Sequence, residues 1–166
     1  MVVMQFRIKQ IYYIITLIIL YLAGCTSPIN WTEFTFTKNK PEKIDLIGNW
    51  SPTKKTLNDM KDRGGYNISK HEINLKADGG FKMVNMPDWW IDGFGESKKM
   101  FQSGSGNWKI EKDGKFWIIG LHFRIFSGKE KGFWTPVFLR RQKPPYQLYF
   151  TLGDPDTERG MIFEKA

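Results

Sequence analysis

Apolar and polar residues alternate with a period of two through much of the chain, and short turn sequences separate the alternating stretches. Ile73 and Leu75 alternate with polar residues before Asp78-Gly79, and Phe81 and Met83 do so after it. Successive side chains of a strand point to opposite faces, and Asp-Gly supplies the positive φ that tight hairpins need. The pattern therefore predicts a β-hairpin here.

The same rhythm continues towards the end of the chain. Asp113-Gly114 precedes the apolar stretch Phe116–Phe126, and Ser127–Gly132 is a charged loop before a strand over Phe133–Arg140. Pro136 places that strand at an edge or a bulge. In the apolar stretch we expect one face to hold Trp117, Ile119, Leu121, Phe123 and Ile125, and the other to hold Gly120, His122 and Arg124. About eight short strands predict an all-β fold, an antiparallel meander barrel or sandwich.

One short helix interrupts this pattern near the start of the domain. Ile44–Trp50 predicts the first strand, and a helix is expected at about residues 52–62. Ser51 can serve as its N-cap, with Pro52 at the first helical position. The sequence leaves open whether an additional strand forms around Phe36, because phenylalanine and threonine alternate there.

The N-terminus combines a basic start, an apolar run and the only cysteine of the chain. Arg7 and Lys9 precede the run Ile11–Leu22, and Ala23-Gly24 leads to Cys25. A transmembrane helix needs about 20 apolar residues, whereas a signal peptide needs a shorter apolar region followed by small residues. The segment Leu22–Cys25 resembles the lipobox of bacterial lipoproteins.

That resemblance implies cleavage before Cys25, a diacylglycerol on its sulfur and an acylated amine, which together anchor a protein stably. The expected organisation is a signal peptide over residues 1–24, a lipidated N-terminus and tether over 25–43, and a β-barrel domain over 44–166. In the family, aspartate after the cysteine retains the protein in the inner membrane. Thr26 occupies this position, so the outer membrane is favoured. A lipidated Cys25 leaves no thiol for a disulfide or a nucleophile.

Two further resemblances concern the barrel. Gly48-Asn49-Trp50 resembles the Gly-x-Trp opening of lipocalin-like domains. This likeness implies an up-and-down barrel closed at one end by the tryptophan, with the glycine leaving room for the ring. Other strings resemble a group of small uncharacterised bacterial proteins, which implies a shared fold and no activity. They are Ser51-Pro52-Thr53, Asn85–Trp90, Gly104–Trp108, Lys143–Tyr146, Gly153–Asp156 and Phe163-Glu164-Lys165.

Charge limits the expected partners. The chain has a formal net charge of +8, and without residues 1–24 about +6 remains. The basic residues are spread along the chain, so a basic surface close to an anionic membrane is favoured over a dedicated polyanion site. Nucleic acid is not an expected partner in the cell envelope.

The most unusual segment is Asp88–Glu96, which combines carboxylates, aromatic rings and glycines. We expect Asp88, Trp89, Trp90, Asp92 and Phe94 to bind a ligand at the barrel mouth, because exposed tryptophan beside carboxylates suits sugar stacking or a partner protein. The alternative is that the rings plug the barrel end and the acids are solvated. A calcium site would need carboxylates, but the EF-hand spacing is absent.

Other candidates favour ordinary structural roles. His71 and His122 have no partner at ligand spacing, so no metal site is expected. Asp154 and Asp156 flank a proline in a turn sequence, although paired carboxylates can perform acid–base chemistry. Arg140-Arg141 with Lys143 could bind an anion, but a strand end facing solvent is favoured.

The sequence therefore predicts a lipid-anchored envelope protein with a non-catalytic binding domain and no cofactor. Its ligand is a small apolar molecule or an envelope component. The alternatives are a protein-interaction lipoprotein, such as an inhibitor or immunity protein, and a structural envelope role. Because inhibitors of cationic lysozymes should be acidic, the basic charge counts against that partner. The sequence contains no hydrolase motif of the Gly-x-Ser-x-Gly or His-Glu-x-x-His type.

Overall fold

Eight antiparallel strands close into one barrel, in which each strand pairs with the next and β8 pairs with β1. The computed structural model describes residues 36–64, 70–88, 100–152 and 160–166. This architecture confirms the predicted eight-stranded meander. Of the two predicted alternatives, barrel and sandwich, the fold is a barrel. The strands are β1 (Gly48–Pro52), β2 (Glu72–Leu75), β3 (Gly80–Pro87), β4 (Phe101–Asp113), β5 (Phe116–Phe126), β6 (Lys129–Arg140), β7 (Gln147–Thr151) and β8 (Gly160–Lys165).

In the described residues two helices accompany the barrel, α1 (Lys43–Leu46) and α2 (Lys54–Gly64). The prediction of a strand from Ile44 was wrong, because α1 occupies its first half and β1 begins at Gly48. The helix after the first strand is confirmed. Within the described ranges, neither helix is long and apolar enough to cross a membrane.

The predicted cap of α2 was wrong by two residues. Ser51 and Pro52 belong to β1, where they pair with β8. Thr53 caps the helix instead, since its Oγ1 accepts a hydrogen bond from the Thr56 amide at 3.3 Å. The Thr56 hydroxyl donates to the carbonyl of Ile162 and accepts from its amide, which fastens α2 to β8.

Large side chains fill the described interior of the barrel. An eight-stranded barrel is just wide enough for side chains to fill it. Phe123 stacks on Phe133 with ring centroids 4.4 Å apart, and Phe81 and Phe126 meet Phe123 edge-on. The fully buried residues around them include Trp50, Ile73, Met83, Leu121, Leu139, Phe150 and Phe163.

Trp50 lies in this core, and its indole N–H donates to the carbonyl of Leu46 at 2.9 Å. The tryptophan of the Gly-x-Trp string thus ties α1 to the barrel. Its glycine has a different role from the one the resemblance implies. A Cβ on Gly48 would lie 3.0 Å from Cε of Lys165 and would not meet the Trp50 ring within 4 Å. The side chain that approaches Gly48 closely is that of Lys165 in β8.

A β-bulge near the end of β5 changes which of its side chains face the core. Ser105 pairs with Ile125 but Gly106 pairs with Phe123, so Arg124 is an extra residue. Shifting a strand by one residue moves its side chains to the opposite faces. Ile125, predicted on the core face, is therefore 46% exposed, whereas Phe126 is buried.

The loop predicted at Ser127–Gly132 is shorter than expected. Ser127 and Gly128 both have positive φ, as two-residue hairpins require, and β6 already begins at Lys129. Residues 138–140 of β6 pair with residues 147–149 of β7. Pro136 lies before this β6–β7 ladder. The ladder therefore does not need the backbone N–H that proline lacks.

The chain before α1 packs on the outside of the barrel as a short strap, residues 36–40. Phe36 forms an antiparallel bridge with Arg140, and its ring lies 4.8 Å from that of Phe138 and 5.5 Å from that of Phe116. The Thr37 amide donates to Leu139. The described part of the predicted tether therefore belongs to the packed structure, and Phe36 is only 2% exposed.

Replacing Gly106 by alanine is expected to destabilise the barrel by at least about 2 kcal/mol. The added Cβ would collide with the carbonyl oxygen of His122 and lie 2.9 Å from Cα of Phe123, so backbone must move. Gly132→Ala is the matched control, because a Cβ there meets nothing within 4 Å. Urea unfolding of both variants measures the difference; equal stabilities would contradict the tight approach of β4 to β5.

Candidate functional site

The outer face of β4, β5 and β6 carries a cluster of polar and aromatic side chains. Because Ile119, Leu121 and Phe123 point into the core, the residues between them point outwards. The register places Asn107, His122 and Trp134 in one row across the three strands, and Lys109, Gly120 and Pro136 in the next. Trp134 is 46% exposed.

Glu111 connects these rows. It stands opposite Ile118, and its carboxylate reaches diagonally across β5. Oε1 lies 2.7 Å from Nε2 of His122, and Oε2 accepts the indole N–H of Trp134 at 2.9 Å. Both carboxylate oxygens are therefore bound by fixed partners on the neighbouring strands.

Gly120 makes this arrangement possible. A Cβ at that position would overlap the Glu111 carboxylate and lie 2.7 Å from Nε1 of Trp134. The missing side chain leaves a shallow space on the sheet, and the carboxylate and the indole occupy it. We refer to Glu111, Gly120, His122 and Trp134 as the outer-face site.

The surroundings lower the pKa of Glu111. Burial by itself would raise this pKa, but the hydrogen bonds from His122 and Trp134 and the positive charge of Lys109 outweigh it. The carboxylate is therefore ionised at neutral pH.

A concave pocket of about 470 Å³ adjoins the outer-face site where the turn between β2 and β3 meets β4. Its wall combines polar and apolar surface. The Asn107 amide donates to the Gly79 carbonyl at 3.5 Å, and Trp108 donates its indole N–H to the carbonyl of Lys76 at 3.0 Å. Its lining residues are Asp78, Gly79, Asn107, Trp108, Lys109, His122 and Arg124.

Most of the ligand site predicted from the sequence lies outside the described residues. This applies to Trp89, Trp90, Asp92 and Phe94, and also to the lipidation site Cys25 and the pair Asp154 and Asp156. Asp88 is described: it is 4% exposed, and its amide donates to the carbonyl of Met100 at 3.0 Å. Asp88 is therefore a buried acid and not a solvated one.

The two histidines occupy different surroundings. His71 is 4% exposed, with Nδ1 hydrogen-bonded to the Asn85 carbonyl and its ring 5.2 Å from that of Phe101. His122 is partly exposed and belongs to the outer-face site. In the part of the chain that the structure describes, no three His, Cys, Asp or Glu side chains come together as a metal site would need.

Glu111 and Trp134 were not identified from the sequence. They are separated by 23 positions and share no motif, so only the register of β4, β5 and β6 brings them together. The alternation in β5 did predict that Gly120, His122 and Arg124 share one face. The unusual glycine in the middle of an apolar strand was the available signal.

No protein-family model, no curated protein and no solved structure matches this chain.

Glu111→Gln is expected to reduce stability in a pH-dependent way. A carboxylate with a lowered pKa in the folded state stabilises the fold above its ordinary value of 4.5, and this contribution disappears as the pH falls through the folded pKa. Urea unfolding from acid to neutral pH should show the largest difference from wild type above 4.5. Glu130→Gln, at an exposed acid of β6, is the control; equal pH profiles would contradict the ionised, hydrogen-bonded carboxylate.

Proposed function

We propose that this chain is a lipid-anchored protein of the bacterial cell envelope, with the outer membrane favoured, and that its barrel is a non-catalytic binding module. The lipobox at Leu22–Cys25 supports the anchor. The barrel supports the binding role because its outer-face site holds a carboxylate, an imidazole and an indole in fixed positions. The ligand that we propose is a saccharide of the envelope.

The observation that most supports this proposal is the half-exposed ring of Trp134, whose indole N–H is already hydrogen-bonded to Glu111. An indole held in this way offers a rigid flat face, and such faces suit the apolar side of a sugar ring. The neighbouring pocket offers Asp78 and Asn107 for hydroxyl groups. Lys109 and Arg124 would favour a ligand that carries a carboxylate.

The packed interior favours this surface over a cavity in the barrel. A lipocalin-type cavity needs space among the inward-facing residues, and in the described interior these positions carry fully buried side chains such as Met83, Leu121 and Phe150. The ligand role predicted for the barrel mouth stays a prediction, because Trp89, Trp90, Asp92 and Phe94 lie outside the described residues. Within the described residues, we assign sugar stacking to Trp134.

A protein ligand is the second candidate, and one observation favours it. Trp134 and Ile125 are both 46% exposed on the walls of the barrel. Exposed tryptophan is the residue most typical of interface hot spots. A protein partner would bury both residues, whereas a monosaccharide on the outer-face site would need only Trp134.

N-acetylmuramic acid and N-acetylglucosamine form a matched pair of probes, because they differ by one carboxylate-bearing lactyl group. Titrations followed by NMR are expected to show tighter binding of the acid. Trp134→Ala should weaken binding by about tenfold, which corresponds to about 1.4 kcal/mol. Trp134→Phe should retain part of the affinity because it keeps an aromatic face.

The controls separate stacking from charge. Arg124→Gln should reduce the preference for the acid, because only Lys109 then remains to attract the carboxylate, and should leave the binding of N-acetylglucosamine unchanged. Ile44→Ala, at a residue that is 67% exposed on α1, should change neither. If neither sugar binds, while a partner protein binds wild type and not Trp134→Ala, the second candidate replaces the first.

Cys25→Ala tests the anchor. Without the sulfur, we expect an uncut precursor that takes up no labelled fatty acid, whereas wild type becomes shorter and lipidated. Ser27→Ala, two residues further on, is the control and should mature normally. Normal processing and lipid uptake by Cys25→Ala would contradict the lipobox assignment.

A further inference from the structure

A concentration of positive charge surrounds the strap on the outside of the barrel. The strap residues Lys38 and Lys40 lie beside the start of β5 and the loop between β6 and β7. Negative charge is also present. Asp113 lies in the chain between Lys112 and Lys115. Burial, together with the nearby carboxylates of Asp45 and Glu42, raises the pKa of the Tyr146 hydroxyl. Six exposed cations form what we call the strap surface: Lys38, Lys40, Lys112, Lys115, Arg141 and Lys143.

Specific contacts hold these residues together. Nζ of Lys40 lies 5.5 Å from the centre of the Trp117 ring, and Nζ of Lys115 lies 5.2 Å from that of Phe116. The Lys38 amide donates to Oε1 of Gln142 at 3.1 Å, which joins the strap to the β6–β7 loop. Lysine stems that rest on aromatic rings keep their charged ends in water.

The strap is also where the chain enters the barrel domain from the proposed anchor. The antiparallel bridge between Phe36 and Arg140 means that the chain enters at the end where β6 finishes. Ten residues separate Cys25 from Phe36, so the two residues can lie at most roughly 40 Å apart. A lipid on Cys25 would therefore limit how far the strap surface can lie from the bilayer.

We propose that the strap surface docks on anionic phospholipid headgroups and thereby sets the orientation of the barrel on the membrane. This proposal rests on the anchoring proposed for Cys25 and is independent of the ligand of the outer-face site. Flexible lysines spread over three chain segments suit contact with an extended charged surface better than the binding of a single ion. Each lysine close to an anionic membrane contributes about 1 kcal/mol, or about fivefold in affinity.

Lysine acetylation of the full lipidated protein tests the orientation. The protein is reconstituted in vesicles of phosphatidylcholine alone, or of phosphatidylcholine and phosphatidylglycerol in equal parts, and labelling is measured by mass spectrometry. On the anionic vesicles, the five lysines of the strap surface should become several-fold less reactive, and high salt should reverse this. Lys82 and Lys129 lie on other parts of the barrel and should stay reactive.

A charge-matched pair of triple variants provides the control. Lys112→Glu with Lys115→Glu and Lys143→Glu should abolish the protection of Lys38 and Lys40. Lys82→Glu with Lys129→Glu and Lys131→Glu changes the net charge equally and should preserve it. Circular dichroism of both variants verifies folding, and Lys115→Gln alone should reduce protection if the triple variant fails to fold.

The outcomes separate this proposal from the anchor. If the protein floats with both kinds of vesicle but labelling is the same on each, the anchor stands and the docking surface is refuted. If it floats with neither, both are refuted. If soluble heparin protects the strap surface more strongly than the anionic vesicles do, the surface is a polyanion site and the proposal is wrong.

Discussion

Packing of large side chains inside the closed barrel fixes the register of every strand, and the outer surface depends on that register. A one-residue slip would move Leu121 out of the core and turn His122 into it. Because the interior holds Leu121, Phe123 and Trp108 at their inward positions, the positions of Gly120, His122 and Trp134 on the outside follow. The described part of the barrel forms a packed frame, and we propose that its outer wall binds the ligand.

Two glycines show how close approach of the strands creates the site. Gly106 lets β4 approach the backbone of His122 and Phe123 beside the bulge at Arg124. Gly120 leaves the space in which Glu111 reaches Trp134. A Cβ at either position would separate groups that the site requires together. The same small residues that weaken a strand locally therefore position a carboxylate between an imidazole and an indole.

The sequence predicted the architecture because alternation and turn residues are local signals. Asp78-Gly79 and Asp113-Gly114 mark hairpins that exist, and the helix with Met60 in the core follows the first strand. Errors arose where tertiary pairing overrides local preference. Pro52 suits a helix start, but pairing with Phe163 keeps it in β1. Ile125 follows the alternation, but the bulge at Arg124 exposes it. The contact of Glu111 with Trp134 depends on register across three strands, which no local pattern encodes.

The two proposed surfaces adjoin each other on the wall, since Glu111 of the outer-face site directly precedes Lys112 of the strap surface in β4. The outer-face site spans β4, β5 and β6, with its neighbouring pocket at the β2–β3 turn, whereas the strap surface surrounds Phe36 between the ends of β5 and β6. A barrel held by its strap surface would present its remaining walls to the envelope. Anchoring and ligand binding would then share one rigid frame, which a filled interior makes possible.

The central claim is that the ligand binds to the wall of a filled barrel. The most direct measurement is an NMR titration with N-acetylmuramic acid that follows the indole N–H signals together with the methionine methyl groups. The account predicts shifts at the Trp134 indole and the amides of Gly120 and His122, with the buried methyl groups of Met83 and Met161 unchanged. Shifts of those methyl groups with an unchanged Trp134 signal would contradict it and place the ligand inside the barrel.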